Sequence, residues 1–346
     1  LSLLFVPPAE GGGMEISMIG KEMNDFLLSV IILCRNMNMY LKECVDSILM
    51  QQYSNIEIIL TCDDSQDPVC EIMRDYYSRY PNIIMLNIED SEKLAGGARN
   101  RALKLAHGDI ITFVDGDDWI SAGMYIKMIP YFEDFEIDMV LCDYNEWFED
   151  TKEVVKRSMD SSLSEGIYQP IEAGRLFFTE SYAWNSFFRR ELIRRMGLQF
   201  FEGVLYEDLI VHAFFAASKK IAYVPIPFCQ HRKHKSEITA MATANQHCTI
   251  INTTYELVNV FRNNIDYKKW KEKINELVKG YLFNYVYYLM RRGSLPINED
   301  ILIKCARTYI DCCEIIGCDY LSEKRVWLQL ETPSVIADEL VKSINS

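Results

Sequence analysis

The chain has 346 residues, enough for one large domain or for two of ordinary size. With 49% hydrophobic and 25% charged residues it has the composition of a globular protein able to bury a sizeable core, which excludes a disordered or fibrous chain. Its net charge of −14 excludes nonspecific binding to nucleic acid, whose phosphates need a basic surface.

The first stretch, "LSLLFVPPAEGGGMEISMIGKEM", carries an apolar patch with no basic residues before it and makes a poor signal peptide. It reads as an upstream extension of the gene, with the true start at Met14, Met18 or Met23, so residues 1–24 are set outside the fold. From Leu27 the pattern alternates. "LLSVIILC" (27–34) reads as a buried strand, and "MYLKECVDSILMQQ" (39–52) spaces Leu41, Val45, Ile48 and Leu49 at helical intervals. "IEIILTC" (56–62) is a second strand, ending in Asp63 and Asp64. A helix around 68–79 and a strand at 82–88 follow. "GGARNRALKLAHG" (96–108) is a helix with Gly at both ends, and "DIITFV" (109–114) is a fourth strand.

This alternation predicts an α/β fold, a mostly parallel sheet flanked by helices, in which ligands bind beyond the carboxyl ends of the strands. Arg35 and Asn36, Asp63 and Asp64, and Asp115 to Asp118 stand at three such ends.

Beyond 120 the alternation fails. "IDMVLCDYNEWF" (137–148) reads as a strand with a hairpin partner in 152–159, and 170–218 as mostly helical. "KKIAYVP" (219–225) is a strand closed by its proline, and 241–346 is a helical region. No apolar run is long enough to span a bilayer. The 11 cysteines form no C-x-x-C pair, and Cys34, Cys62 and Cys142 lie in apolar runs, so the expectation is free thiols in a reducing cytosol.

Three aspartates within four residues, Asp115, Asp117 and Asp118, make a compact set of hard oxygen ligands of the kind that shares Mg²⁺ or Mn²⁺ with phosphates. Asp-Gly-Asp-Asp alone is more often a plain turn.

Six ordered segments resemble glycosyltransferase family 2, of the GT-A fold, over about residues 27–240. They are "SVIILCRN" (29–36), "YLKECVDSILMQQYSNIEIILTCDD" (40–64), "GGARNRAL" (96–103), "GDIITFVDGDDWI" (108–120), "WNSFFRRELI" with "GVLYEDLIV" (184–193 and 203–211), and "HRKHKSEIT" (231–239). The resemblance implies a catalytic domain at 25–240 with a helical region appended at 241–346. It implies an enzyme that moves a sugar, with inversion, from a UDP- or dTDP-sugar to a hydroxyl of a glycan or lipid-linked acceptor, such as a bacterial cell-surface polysaccharide.

Residue by residue, it assigns Asp208 as general base and Asp117 as ligand of a divalent Mn²⁺ or Mg²⁺. Asp115 shares the metal or meets the ribose, Asp64 meets the base, and Arg99 and Asn100 approach the nucleotide. Arg232 and His234 belong to a closing segment that reaches the diphosphate or the metal. Arg35 stands where the family has an aromatic residue, which suggests a cation–π contact to the base. Asp118 reads as structural, and Glu207, next to Asp208, is expected to point away from it. Trp119 and Trp184 are read as buried aromatics or as sugar-stacking walls.

Two rivals remain at this stage. A nucleotidyltransferase would want a glycine-rich basic loop after the first strand, which "CRNMNMYLKE" lacks. A degenerate nucleotide-sugar-binding module has no need to keep Asp115, Asp117 and Asp208. The Tyr-rich "YLFNYVYYLMRR" (281–292) reads as a buried helix or as a peripheral contact with the inner face of the membrane.

Overall fold

The computed structural model describes residues 26–62, 68–88, 94–179, 182–296 and 299–318. Asp64 and the 1–24 extension lie outside the described residues.

Strands β1 (Leu28–Leu33), β2 (Ile56–Cys62), β3 (Ile83–Asn87) and β4 (Ile110–Asp115) form a parallel set, with helices α1 (Leu41–Leu49), α2 (Val69–Arg79) and α3 (Leu94–Leu105) between them. β1 is buried from Leu28 to Ile32, as expected of a parallel strand covered on both faces. On α1 the buried side chains are Leu41, Cys44, Val45 and Ile48, one stripe of a helix lying on the sheet. The register sets Leu33 of β1 beside Thr61 of β2 on one side and Asp115 of β4 on the other. The strands therefore end in line, and their polar termini share one edge.

The second half of the sheet is mixed. It contains β5 (Trp119–Ile120), β6 (Ile137–Phe148), β7 (Val154–Arg157), β8 (Gly166–Tyr168), β9 (Ser186–Arg189) and β10 (Lys220–Lys233), with α4 (Met124–Met128), α5 (Arg190–Met196) and α6 (Val211–Ala217). The strand order is β3-β2-β1-β4-β9-β6-β10-β5, with β7 paired to β6 and β8 to β10. The hairpin of β6 and β7 is as expected.

Two expectations fail here. Residues 170–218 are not mostly helical, because "SFFR" fills the slot between β4 and β6 as an antiparallel strand, and pairing overrides local pattern. Pro225 does not close the last strand. β10 runs on to Lys233 because Pro225 and Pro227 sit in a slip of register, where a missing ladder N–H costs little.

Beyond β10 the described residues are mainly helical: α7 (Ile238–Met241), α8 (Ala244–His247), α9 (Thr249–Asn264), α10 (Tyr267–Lys279), a π turn at Gly280–Tyr285, α11 (Val286–Arg291) and α12 (Glu299–Ile316). These helices pack on one another, and their buried side chains join the same core as those of the rest of the described residues. Phe261 and Trp270 pack on Phe177 at ring distances of 6.0 and 4.8 Å, and α9 lies against the turn at Glu207–Ile210. Among the described residues no helix is long and apolar enough to cross a membrane. All 11 cysteines are free thiols, most of them buried.

Candidate active site

The turn after β4 is shaped by Gly116. Its N–H donates to the Leu33 carbonyl at 3.0 Å, and a Cβ there would stand 2.5 Å from that oxygen, so only glycine lets the turn lie against the end of β1. The three acids around it divide by partner. Asp118 accepts from the Arg232 backbone N–H at 2.8 Å and pairs with His231 Nδ1 at 3.1 Å, tying the turn to the end of β10. Asp117 faces His234, Oδ2 to Nε2 at 2.9 Å, and the other ring nitrogen of His234 meets Ser236 Oγ at 2.8 Å. Asp115 points the other way, toward α3.

These contacts set the charge states. Burial lowers His231, but Asp118 outweighs it and brings the imidazole up to about 9. His234 is raised chiefly by its bond to Asp117. Burial, opposed by Arg99 and reinforced by Asp118 and Asp117, pushes Asp115 up to about 8.

Arg99 is the centre of the site. It is fully buried on α3, and its guanidinium meets Glu207, Asp115 Oδ1 at 3.2 Å and Asp208 Oδ1 at 3.2 Å. Glu207 and Asp208 were expected to point apart, yet both reach the same Arg99 nitrogen, because the short 3-10 turn that carries them wraps around the guanidinium. Asp208 Oδ2 also accepts from the Ala183 N–H at 3.3 Å, which orients the carboxylate. Burial pushes Glu207 up to about 7 against the pull of Arg99. Gly96 makes this approach possible: a side chain there would collide with the Phe201 carbonyl, which rests on α3.

Other expected residues take supporting positions. Asn100 is buried; it donates to the Phe200 carbonyl at 2.9 Å and accepts from the Phe200 N–H at 2.8 Å, fixing the chain that leads to Glu207. Arg232 donates to the Asp117 carbonyl at 2.8 Å and to Glu43 at 2.5 Å, with its guanidinium among the rings of Tyr40, Trp119 and Trp147. Trp184 is covered on both faces, by Tyr182 at 4.6 Å and His231 at 5.2 Å, so it belongs to the wall and not to its surface. Arg35 lies half-buried just past β1. Sequence reasoning missed Glu43, Tyr182 and His231. The one signal for His231 in the sequence was its place directly before Arg232; its partner Asp118 shows only once β10 is seen to run past Pro225.

Among the described residues no three His, Cys, Asp or Glu side chains cluster closely enough to hold a metal by themselves. Asp117 and His234 offer two donors 2.9 Å apart, and neighbouring ligands of an octahedral Mg²⁺ or Mn²⁺ stand roughly 3 Å apart. Ser236 on Nδ1 steadies the ring, so that Nε2, which meets Asp117 here, is the nitrogen that would turn to a cation. The pair fits a cation that takes its remaining ligands from water and phosphate.

Residues 29–197 match the family model described as glycosyl transferase family 2. Residues 29–197 are thus a domain of the glycosyl transferase family 2 type. The uncharacterized glycosyltransferase EpsJ of Bacillus subtilis (strain 168) is 31% identical over 189 residues, 53% of this chain and 53% of that protein. The match thus spans about half the length of this curated relative. The minor teichoic acid biosynthesis protein GgaB of the same organism is 40% identical over 119 residues, 32% of this chain and 13% of its own length. The crystal structure of S. aureus TarS 1–349 in complex with UDP-GlcNAc is 17% identical and superimposes with a TM-score of 0.70 over 84% of this chain and 81% of that one. That likeness shows the fold, the GT-A arrangement with a helical C-terminal region. In this family frame, Asp115 and Asp117 fall on the strand-end stretch and Asp208 lies just past the matched residues.

Proposed function

We propose that this protein is an inverting glycosyltransferase that moves a sugar from a UDP-sugar to a hydroxyl of a glycan or lipid-linked acceptor in cell-surface polysaccharide synthesis. The observation that carries the reading is the guanidinium of Arg99, which forms ion pairs with Asp115 at the end of β4 and with Asp208 on the far turn at once. One buried cation thereby sets the distance between a nucleotide-side carboxylate and a base. The family match supports the reaction class, and the UDP-GlcNAc bound to TarS and the teichoic acid role of GgaB support the donor and the acceptor class.

Asp208 takes the proton of the acceptor hydroxyl as its oxygen attacks the anomeric carbon from the side opposite the diphosphate, which inverts that carbon. Arg99 and the Ala183 N–H hold the carboxylate in line for that transfer. Asp117 and His234 would hold Mn²⁺ or Mg²⁺, and Asp115, turned to Arg99, is left to meet the ribose. A bound divalent cation supplies neutralisation of the charge that develops on the leaving diphosphate. The wall of Tyr182, Trp184 and His231 excludes water beside Ala183.

The test is a panel of nucleotide sugars with Mn²⁺, read as nucleotide binding and nucleotide release. Asp208→Asn should cut transfer at least about 100-fold and leave UDP affinity intact. Asp117→Ala should weaken UDP binding only when Mn²⁺ is present. The reading fails if no nucleotide sugar binds, or if Asp117→Ala leaves Mn²⁺-dependent binding untouched.

A further inference from the structure

The carboxylate assigned as base stands on a turn whose approach has no regular structure: residues 201–206 belong to no helix or strand, and Gly203 takes a φ of +71°. No backbone ladder therefore fixes Tyr206, the residue that starts the turn and whose carbonyl accepts its Leu209 N–H bond at 3.3 Å. What fixes Tyr206 comes from the C-terminal helices. Its hydroxyl lies 2.7 Å from Nδ1 of His247, a buried residue closing α8, and its ring meets Tyr285 edge-on at 5.6 Å. Next to it, the Leu205 N–H donates to Thr249 Oγ1, the first residue of α9, at 3.3 Å. α8 is itself pinned, because Thr243 and Gln246 close a capping box at its start. Burial and Arg292 lower the pKa of His247, so its ring is neutral, and in the tautomer with the proton on Nε2 its Nδ1 accepts a hydrogen bond from the tyrosine hydroxyl.

We propose that His247 and Tyr206 are positioning residues for the base: the appended helices hold the Glu207–Asp208 turn in its catalytic position through this hydrogen bond. The proposal rests on the reading of Asp208 as the base. Arg99 and Ala183 hold that carboxylate from the sheet side, and the His247–Tyr206 contact holds the turn from the opposite side. Rate is sensitive to such placement, since a displacement of about 1 Å can cost on the order of 100-fold. Loss of this hydrogen bond, with an apolar side chain left to fill each position, should displace the turn less, for a fall of about tenfold.

The test uses the full chain and four variants: Tyr206→Phe, which keeps the ring, His247→Leu, the pair together, and His247→Asn, which restores an acceptor near the position of Nδ1. Three quantities are read: UDP release from UDP-glucose, UDP-galactose, UDP-N-acetylglucosamine and UDP-N-acetylgalactosamine, UDP affinity in Mn²⁺, and amide hydrogen exchange across 205–210. Tyr206→Phe and His247→Leu should each lower kcat about tenfold, leave UDP affinity unchanged and speed exchange in 205–210. The double variant should be no worse than either single one, and His247→Asn should recover most of the rate. Unchanged exchange at 205–210 overturns the proposal whatever happens to turnover. A loss of UDP affinity as large as the loss of turnover also overturns it, since the contact would then merely support the fold. If Asp208→Asn keeps full turnover, the base assignment fails separately, and the exchange measurement still judges the contact.

Discussion

β1 and the turn at Glu207 belong to one molecule and meet near one edge of its sheet, yet they are fixed in different ways. β1 lies between β2 and β4 with Val30, Ile31 and Ile32 wholly buried among aliphatic side chains. The turn has a buried guanidinium on one side and a tyrosine–histidine hydrogen bond on the other. The same contrast extends outward. His212 of α6 meets the Tyr281 hydroxyl at 2.6 Å, and Asp138 of β6 takes two bonds from Arg195 at 3.1 and 2.7 Å. Apolar burial is nondirectional and tolerates small shifts, whereas a buried polar contact works only at one geometry. The turn that must place a base to a fraction of an ångström is the element held by directional contacts.

The largest effect that sharpens this contrast is expected at Arg99. Arg99→Met leaves Glu207, Asp115 and Asp208 facing one another without their cation, and should cost about 3–5 kcal/mol in chemical denaturation together with activity. A cost below about 1 kcal/mol would break the comparison. His212 comes next. Burial holds its imidazole down to about 4, so below the ordinary value near 6.5 the unfolded chain takes up a proton that the folded chain refuses. Its contribution is therefore complete above pH 6.5 and is lost as pH falls toward 4, about 3 kcal/mol in all. Stability measured against pH should lose that slope in His212→Phe and keep it in variants of the parallel half.

Gly96→Ala should follow, at about 2 kcal/mol, because the new methyl group meets the Phe201 carbonyl and pushes the chain that leads to Glu207. Turnover should fall with it. The smallest effect belongs to the parallel half: Ile31→Val should cost about 1 kcal/mol, independent of pH and salt, with activity unchanged.

The same division explains what could be read from the sequence. β1 to β4 were legible because their apolar runs are local and continuous, and Leu41 to Ile48 repeat at helical spacing. β9 was not legible, since Phe187 and Phe188 become a strand only when β4 and β6 arrive on either side. The carboxylates could be placed at a strand end, because Asp115 to Asp118 follow a buried run. The partner of each could not: nothing in the linear order says that Arg99 takes Asp115 and Glu207 together, or that Arg232 is enclosed by Tyr40, Trp119 and Trp147. Contacts between residues about 100 positions apart, such as Asn100 with Phe200, leave no periodic trace.

The slip in β10 has a bearing on how such a protein can change. From Val224 to Cys229 the strand faces only Cys142 to Tyr144, so it carries slack, and that slack decides which face each later residue presents. Everything beyond it, including Gln230, His231, Arg232 and His234, is read in a frame set by the two prolines. Deleting one residue within 225–227 would exchange the two faces of that stretch and turn Arg232 out of its aromatic cage, while the core residues Ile221 to Val224 stay where they are. Point substitutions along 228–234 adjust individual contacts, but a change of length at the prolines re-aims the whole segment at once.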